Sequence, residues 1–144
     1  MDLFSSHTDI KFQGLRVMIV NCVSADLHMG KGIAVEFRDR YGNIPALKSL
    51  NPIIGDVLCF EHPLKDRVMI PTYLVTKPLY YQKPTYDILQ VCLAKLETLA
   101  IESKADIIVM PRIACGLDRL DWNRVSLMIS PSLSLPYIVY DLSH

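Results

Sequence analysis

The run Arg16–Val23 (Arg-Val-Met-Ile-Val-Asn-Cys-Val) is apolar at almost every position. A strand with one wet face alternates apolar and polar residues, whereas one without alternation is covered on both sides. This segment therefore belongs in the middle of a sheet with a packed layer on each face. A second such run, Ile107–Met110, follows Ala105-Asp106 and is ended by Pro111. Helical patterns lie between and after them. Gly32–Tyr41 carries Ile33 and Phe37 on one face and has Gly42 as its stop. A short helix is predicted at about Ala46–Leu50, before Asn51-Pro52. Gly55–Glu61 and Val68–Thr76 are β-rich, and His62–Asp66 between them makes a loop or hairpin. Thr85 is a good N-cap for the longest helix, Asp87 suits its first turn, and the stripe Leu89, Leu93, Leu96, Ala100 should face the sheet. Trp122–Ile129 reads as a short helix stopped by Pro131, and Tyr137–Leu142 as a last strand. The alternation predicts an α/β fold, a three-layer α/β/α sandwich with a mixed central sheet, in one domain over residues 1–144.

Composition narrows the function. Hydrophobic residues make up 51% of the chain and charged residues 21%, which is enough apolar surface for an ordered core. Fifteen basic residues balance fifteen acidic ones. With no basic field, strong general affinity for nucleic acid is not expected, and any phosphate must be held by a local site. Cys22, Cys59, Cys92 and Cys115 form no CxxC pair and no Cys/His cluster at zinc spacing, so no metal and no cofactor is expected. Three of the four lie in apolar runs and fit a reducing compartment. Met1–Ser5 lacks the basic and apolar regions of a signal peptide, and no apolar run approaches the roughly 20 residues of a membrane span. The expectation is a cytoplasmic monomer with no membrane partner, or a nuclear one if its source is a eukaryote or a eukaryotic virus.

Two loops should carry the chemistry, because ligands in open α/β sheets bind beyond the carboxyl ends of the strands. The first, Asn21–Ala34, contains Met29-Gly30-Lys31-Gly32-Ile33-Ala34, where glycines admit a close ligand and a following helix offers its N-terminal amides. It has neither the P-loop spacing nor a complete dinucleotide fingerprint. The second is Pro111-Arg112-Ile113-Ala114-Cys115-Gly116-Leu117-Asp118-Arg119, directly after the Ile107–Met110 strand, with Gly116 expected to bring main-chain N–H groups to an anion. Together the two loops suit the two phosphates of a pyrophosphate. Asp118 at the rim reads equally as an acid/base or a helix cap. Lys77, in Thr76-Lys77-Pro78, reads as a solvated strand end, a nucleophile or an electrostatic clamp. His28 reads as a phosphate contact or a surface residue. Tyr80 and Tyr81 read as a lid or as packing for the long helix.

Asn21–Ala34, Thr76-Lys77, Lys83-Pro84-Thr85-Tyr86 and Met110–Leu120 with Trp122 resemble, in order and spacing, a macrodomain. Within that family the likeness is to the branch of the terminal ADP-ribose protein glycohydrolase. The resemblance implies a cleft for ADP-ribose and for ADP-ribosylated proteins. It assigns Asp2 and Leu3 to the adenine and Gly30, Gly32, Ile33 and Ala34 to the first phosphate loop. Ile113, Ala114, Cys115, Gly116 and Leu117 fall to the second phosphate loop, and Leu142 to the adenine. Asn21, Ser24, Met29, Thr76, Pro111 and Arg112 complete the implied binding set, Asn21 without a chemical role. Lys77 and Asp118 become the catalytic pair: in the related enzymes the lysine attacks the anomeric carbon of the ring-opened distal ribose, and the aspartate transfers protons and resolves the adduct. The implied activity is a hydrolase that removes ADP-ribose from proteins at Glu and Asp esters. The same cleft also suits a phosphatase of ADP-ribose 1″-phosphate, a non-catalytic ADP-ribose reader, or an enzyme of an acylated nucleotide.

Overall fold

The computed structural model describes residues 2–141. Among these, six strands form one mixed sheet: β1 (Arg16–Ser24), β2 (Val57–Cys59), β3 (His62–Pro63), β4 (Val68–Lys77), β5 (Ile107–Pro111) and β6 (Tyr137–Tyr140). The order is β2-β4-β1-β5-β6, with β3 also on β4. β1 lies parallel to β4 and β5, and β6 parallel to β5, while β2 and β3 run antiparallel to β4. The unalternating run is thus the middle strand, as its covered faces require.

The helices α1 (Ile33–Tyr41), α2 (Ile44–Ser49), α3 (Tyr86–Glu102) and α4 (Trp122–Ser132) fill the two outer layers. One face of the sheet packs Met18, Val20, Ile70 and Leu74 against α3 and α4. The other packs Val17, Ile19, Tyr73 and Val75 against Phe37, Tyr41 and Leu47 of α1 and α2. Leu89, Leu93, Leu96 and Ala100 are all fully buried, so the predicted stripe is the buried face of α3. Thr85 caps that helix by accepting from the Ile88 N–H at 3.2 Å.

The structure departs from the sequence expectations in a few places. α4 runs through Pro131 to Ser132, because a proline in the last turn removes only one hydrogen bond and the chain still closes with Leu133 N–H on Ile129 O. The β-rich segment Gly55–Glu61 shrinks to three paired residues, and the expected loop after it contributes β3. α2 begins earlier than predicted, at Ile44, with Pro45 in its first turn, where a missing N–H costs nothing. Residues 3–12 form two short 3-10 helices, capped by Asp2 and Asp9, that close the α1 side of the sheet. The last strand ends at Tyr140, and Leu142 lies outside the described residues.

Candidate active site

β1, β4 and β5 are mutually parallel, so their carboxyl ends meet at one edge of the sheet. From that edge leave the first loop after Ser24, the segment after Lys77 and the second loop after Pro111. They enclose a cleft of about 1060 Å³. Of the predicted binding residues, Ser24, Met29, Gly30, Gly32, Ile33, Ala34 and the whole segment Pro111–Leu117 line it. Lys77 and Asp118 line it too.

Each loop is held in an unusual backbone conformation. Gly32 sits at φ 62°, ψ −147° as the N-cap of α1, a region that is essentially glycine's alone. A Cβ there would lie 3.4 Å from Leu117 Cδ1, so the two loops meet across the cleft at this point. Behind Gly32, α1 begins with Ile33 and Ala34, which line the cleft, so the positive end of the helix dipole lies there. Four non-glycine residues in the loops have left-handed φ: Leu27, Met29, Ala114 and Arg119. Such conformations cluster where surrounding structure over-determines them, as at ligand clamps. In the second loop the left-handed turn is made by Ala114 and not by Gly116, which has ordinary φ and open space where a Cβ would stand. Its curvature is closed by Cys115 N–H to Arg112 O at 3.3 Å, Arg119 N–H to Gly116 O at 3.2 Å and Leu120 N–H to Ala114 O at 2.8 Å.

Lys77 Nζ donates to Asp118 Oδ1 at 2.6 Å. The two side chains are only 14% and 13% exposed, so the pair is neither a solvated strand end nor a helix cap. Asp121 is the cap of α4, accepting from the Asn123 N–H at 3.3 Å. The cleft lining carries the cations Lys31, Lys77, Lys83, Arg112 and Arg119 against the carboxylates of Asp118, Asp121 and Asp141. A chain of zero net charge thus concentrates positive charge at one place, which suits an anion. Arg112 is held there by Asp141 at 3.2 Å and by the Trp122 ring, 5.6 Å from its centroid.

Cys22 and Cys115 also line the cleft. Burial pushes the Cys22 thiol well up. The Cys115 thiol is pushed up to about 11, by burial first and Asp121 next, with Arg112 opposing. Both are neutral thiols at physiological pH and poor nucleophiles. Among the described residues, no group of three His, Cys, Asp or Glu side chains is placed to hold a metal ion, and no helix is long and apolar enough to cross a membrane.

Four predicted contacts do not line the cleft. Asp2 accepts from the Phe4 N–H at 3.0 Å and so caps the first 3-10 helix, and Leu3 is fully buried beneath it. Asn21 is fully buried inside β1, which runs on to Ser24, so it belongs to the strand and not, as expected, to the first loop. Thr76 is buried on the face of β4 opposite Val75 and Lys77, where alternation turns it away from the cleft side that Lys77 occupies. Leu142, also assigned to the adenine, lies outside the described residues.

Other lining residues come from the chain between Lys77 and α3. Tyr80 and Tyr81 line the cleft and are 51% and 66% exposed. The Tyr80 ring stacks on His28 with centroids 4.0 Å apart. Asp26 ties this strap to the first loop: it accepts from the Tyr80 N–H and the His28 N–H, each at 3.2 Å, and from the Ser24 hydroxyl. Burial pushes the Asp26 carboxyl up, but these three hydrogen bonds outweigh it and hold the carboxyl below the usual carboxylate range. No sequence pattern marked Asp26, because the partner that gives it meaning is 54 residues away.

An α/β/α sandwich with two strained loops and a buried Lys–Asp pair at its carboxyl edge defines a class, and comparison with known proteins agrees. No family model matches the chain. It is 38% identical to the ADP-ribose glycohydrolase OARD1 of Homo sapiens over 111 residues, which are 77% of this chain and 70% of that protein. The OARD1 of Bos taurus is 37% identical over the same length. The fold is also similar to the macrodomain of Thermus aquaticus DarG, with a TM-score of 0.75 over 92% of this chain and 93% of that one, at 22% identity. Thermosipho africanus DarTG, solved in complex with ADP-ribose, gives a TM-score of 0.75 at 16% identity, over 92% of this chain and 39% of that one. The chain belongs to the macrodomain family, on the branch that includes the OARD1 glycohydrolases.

Proposed function

We propose that this protein is an ADP-ribose hydrolase that releases ADP-ribose from modified proteins, at ester linkages to Glu and Asp side chains. The observation that carries the reading is the Lys77–Asp118 contact at 2.6 Å in the cleft between the two loops. The relatives named as ADP-ribose glycohydrolases and the neighbour solved with ADP-ribose support it. The first loop and the N-terminus of α1 hold the diphosphate together with residues 113–117, and the distal ribose meets the Lys–Asp pair. This region of backbone donors needs no divalent cation to receive phosphate.

An amine attacks only when neutral. The contact provides for this, since one proton passed from Nζ to the Asp118 carboxylate leaves a free lone pair. The balanced course is displacement at C1″ of the distal ribose with its ring closed, the ester oxygen being the leaving group, in place of the attack on a ring-opened ribose that the resemblance implies. Nζ bonds to C1″ as the C1″–O bond to the acceptor carboxyl breaks, and Asp118 returns its proton to the leaving carboxylate. Asp118 then takes a proton from water, the hydroxide attacks C1″, the C1″–N bond breaks, and that proton goes back to Nζ. ADP-ribose and the free acid leave, and the pair is restored. Binding energy from the diphosphate loops, remote from the reacting carbon, holds C1″ at the pair.

The test is turnover of a protein carrying ester-linked ADP-ribose, run beside ADP-ribose 1″-phosphate. Release of ADP-ribose from the protein is expected. Release of phosphate alone would make it a phosphatase, and tight ADP-ribose binding without turnover of either substrate would make it a reader.

A further inference from the structure

We infer that Lys83 and Tyr86 are positioning residues for Asp118: they pin the second loop from both sides of the catalytic carboxylate and reference it to α3. Lys83 Nζ donates to the Leu117 carbonyl at 2.7 Å. The Asp121 N–H donates to the Tyr86 hydroxyl oxygen at 2.9 Å. Only residues 118–120 lie between the two anchor points, and one of them, Arg119, is held at φ 64°. A non-glycine residue in that region costs of order 1–3 kcal/mol and persists only where neighbours fix it. The anchors come from one short segment, in which Pro84 is buried and Thr85 caps α3. The Arg124 guanidinium covers the Tyr86 ring at 3.8 Å and holds the phenol in place from the α4 side.

The two catalytic groups therefore have different foundations. Lys77 ends β4, deep in the sheet, while Asp118 lies on a loop that has no strand of its own beyond Pro111. Without the segment at the head of α3, the 2.6 Å contact would depend on loop residues alone. With it, the distance between amine and carboxylate is set by how α3 packs on β4, through Leu89 and Leu93 against Ile70 and Leu74. Lys83 and Tyr86 bond to Leu117 and Asp121 rather than to Lys77 or Asp118, so the effect travels through the backbone of residues 117–121.

The inference rests on the hydrolase reading, and the experiment separates the two. Wild type, Lys83→Met, Lys83→Arg and Tyr86→Phe are compared for turnover of the ester-linked substrate, for ADP-ribose affinity by calorimetry, and for amide exchange of residues 119 and 120. A displacement of even 1 Å at a reacting group costs up to about a hundredfold, so a kcat loss of about tenfold in Lys83→Met and about threefold in Tyr86→Phe is expected. ADP-ribose Kd should stay within about twofold in Tyr86→Phe, since Tyr86 does not line the cleft; Lys83 does, so Kd in Lys83→Met should rise by a few-fold and by less than kcat falls. Lys83→Arg should recover most of the rate, and Lys83→Met should add nothing to Asp118→Ala, because the two changes act on one group. Tyr86→Phe removes a single oxygen and keeps the ring, so it tests the anchor even if Lys83→Met folds poorly. Wild-type kcat in both variants, or kcat and Kd falling in step, would overturn the inference. If wild type shows no turnover, the hydrolase reading fails and exchange decides the anchor: the 119 and 120 amides should exchange about tenfold faster in Lys83→Met, and an unchanged rate overturns it.

Discussion

The two loops of the cleft reach similar strain by different means. The first is built largely from its own sequence. Gly32 supplies a backbone angle other residues avoid, α1 starts immediately behind it, and Asp26 folds back on Ser24 and His28 within the same stretch. The second contains a glycine that needs no special angle, and its left-handed residues are Ala114 and Arg119. It keeps its shape through Lys83 and Tyr86, which lie more than 30 residues away in the chain. The lesson is a division of labour. A loop that shapes itself is suited to holding a diphosphate, whatever the rest of the molecule does. A loop held from outside can be tuned against another element, which is what a proton-transferring carboxylate opposite a lysine needs.

The sharpest way to break that division is at the reacting pair. Lys77→Ala and Asp118→Ala should each lower turnover by about 10²- to 10⁴-fold, the range in which positioned acid/base groups act. ADP-ribose affinity should change by no more than a few-fold, because the diphosphate contacts remain. Parallel calorimetry and single-turnover assays make the check, and intact-mass measurement of Asp118→Ala looks for a trapped Lys77 adduct. Full activity in Lys77→Ala would remove the covalent route. A second measurement concerns the other nucleophile-like group of the second loop. With its pKa near 11, the Cys115 thiol should be alkylated by iodoacetamide at pH 7 about a hundredfold more slowly than free cysteine, speeding up as pH climbs toward 11. Modification at the free-cysteine rate would show that the thiolate is available after all.

The first loop is probed by Gly32→Val. A branched residue at φ 62°, ψ −147° is strained whatever the space, and its side chain would also press on Leu117. ADP-ribose affinity should fall about ten- to thirtyfold, consistent with a strain cost of roughly 1–3 kcal/mol, with less change in the rate of the bound complex. Affinity within error of wild type would move the diphosphate away from this loop.

Much of this was legible in the residues. The unalternating run Arg16–Val23, the stripe on α3 and the loops after each parallel strand gave the layers and the edge where a ligand binds, since hydrophobic period and turn chemistry are local properties. Lys77 and Asp118 were legible as candidates, but their 2.6 Å contact was not, because 41 residues separate them. The same reason hid Asp26, and it hid the partners of Lys83 and Tyr86, although the segment Lys83–Tyr86 itself stands out in the sequence. The backbone angles of the second loop were not legible either: Gly116 reads as letting main-chain N–H groups approach an anion, and the left-handed residues of the loop are Ala114 and Arg119. The Asp2-Leu3 pair also has a local part that the sequence did not show, the carboxylate capping a 3-10 helix and the leucine lying in the core.

The smallest effect expected lies where the strap from Lys77 crosses to the first loop. Asp26 holds Tyr80 there by a hydrogen bond to a carboxylate whose pKa is lowered in the folded protein. A group with a lowered folded pKa stabilises above its unfolded pKa, and that contribution is lost as pH falls through the folded value. The strap should therefore stay docked from neutral pH down through the ordinary carboxylate range and release only in stronger acid. The amide nitrogen shift of Tyr80, followed from pH 6 to pH 2, should show one transition below that of an unperturbed aspartate. Asp26→Asn keeps the shape and removes the charge, so it should abolish that transition and raise KM about two- to fivefold, while kcat moves less because Lys77 and Asp118 keep their contact. A transition that survives in Asp26→Asn would assign it to another group. A KM equal to wild type would show that the strap contributes nothing to holding substrate, and that the self-shaped first loop does its work without the aromatic pair above it.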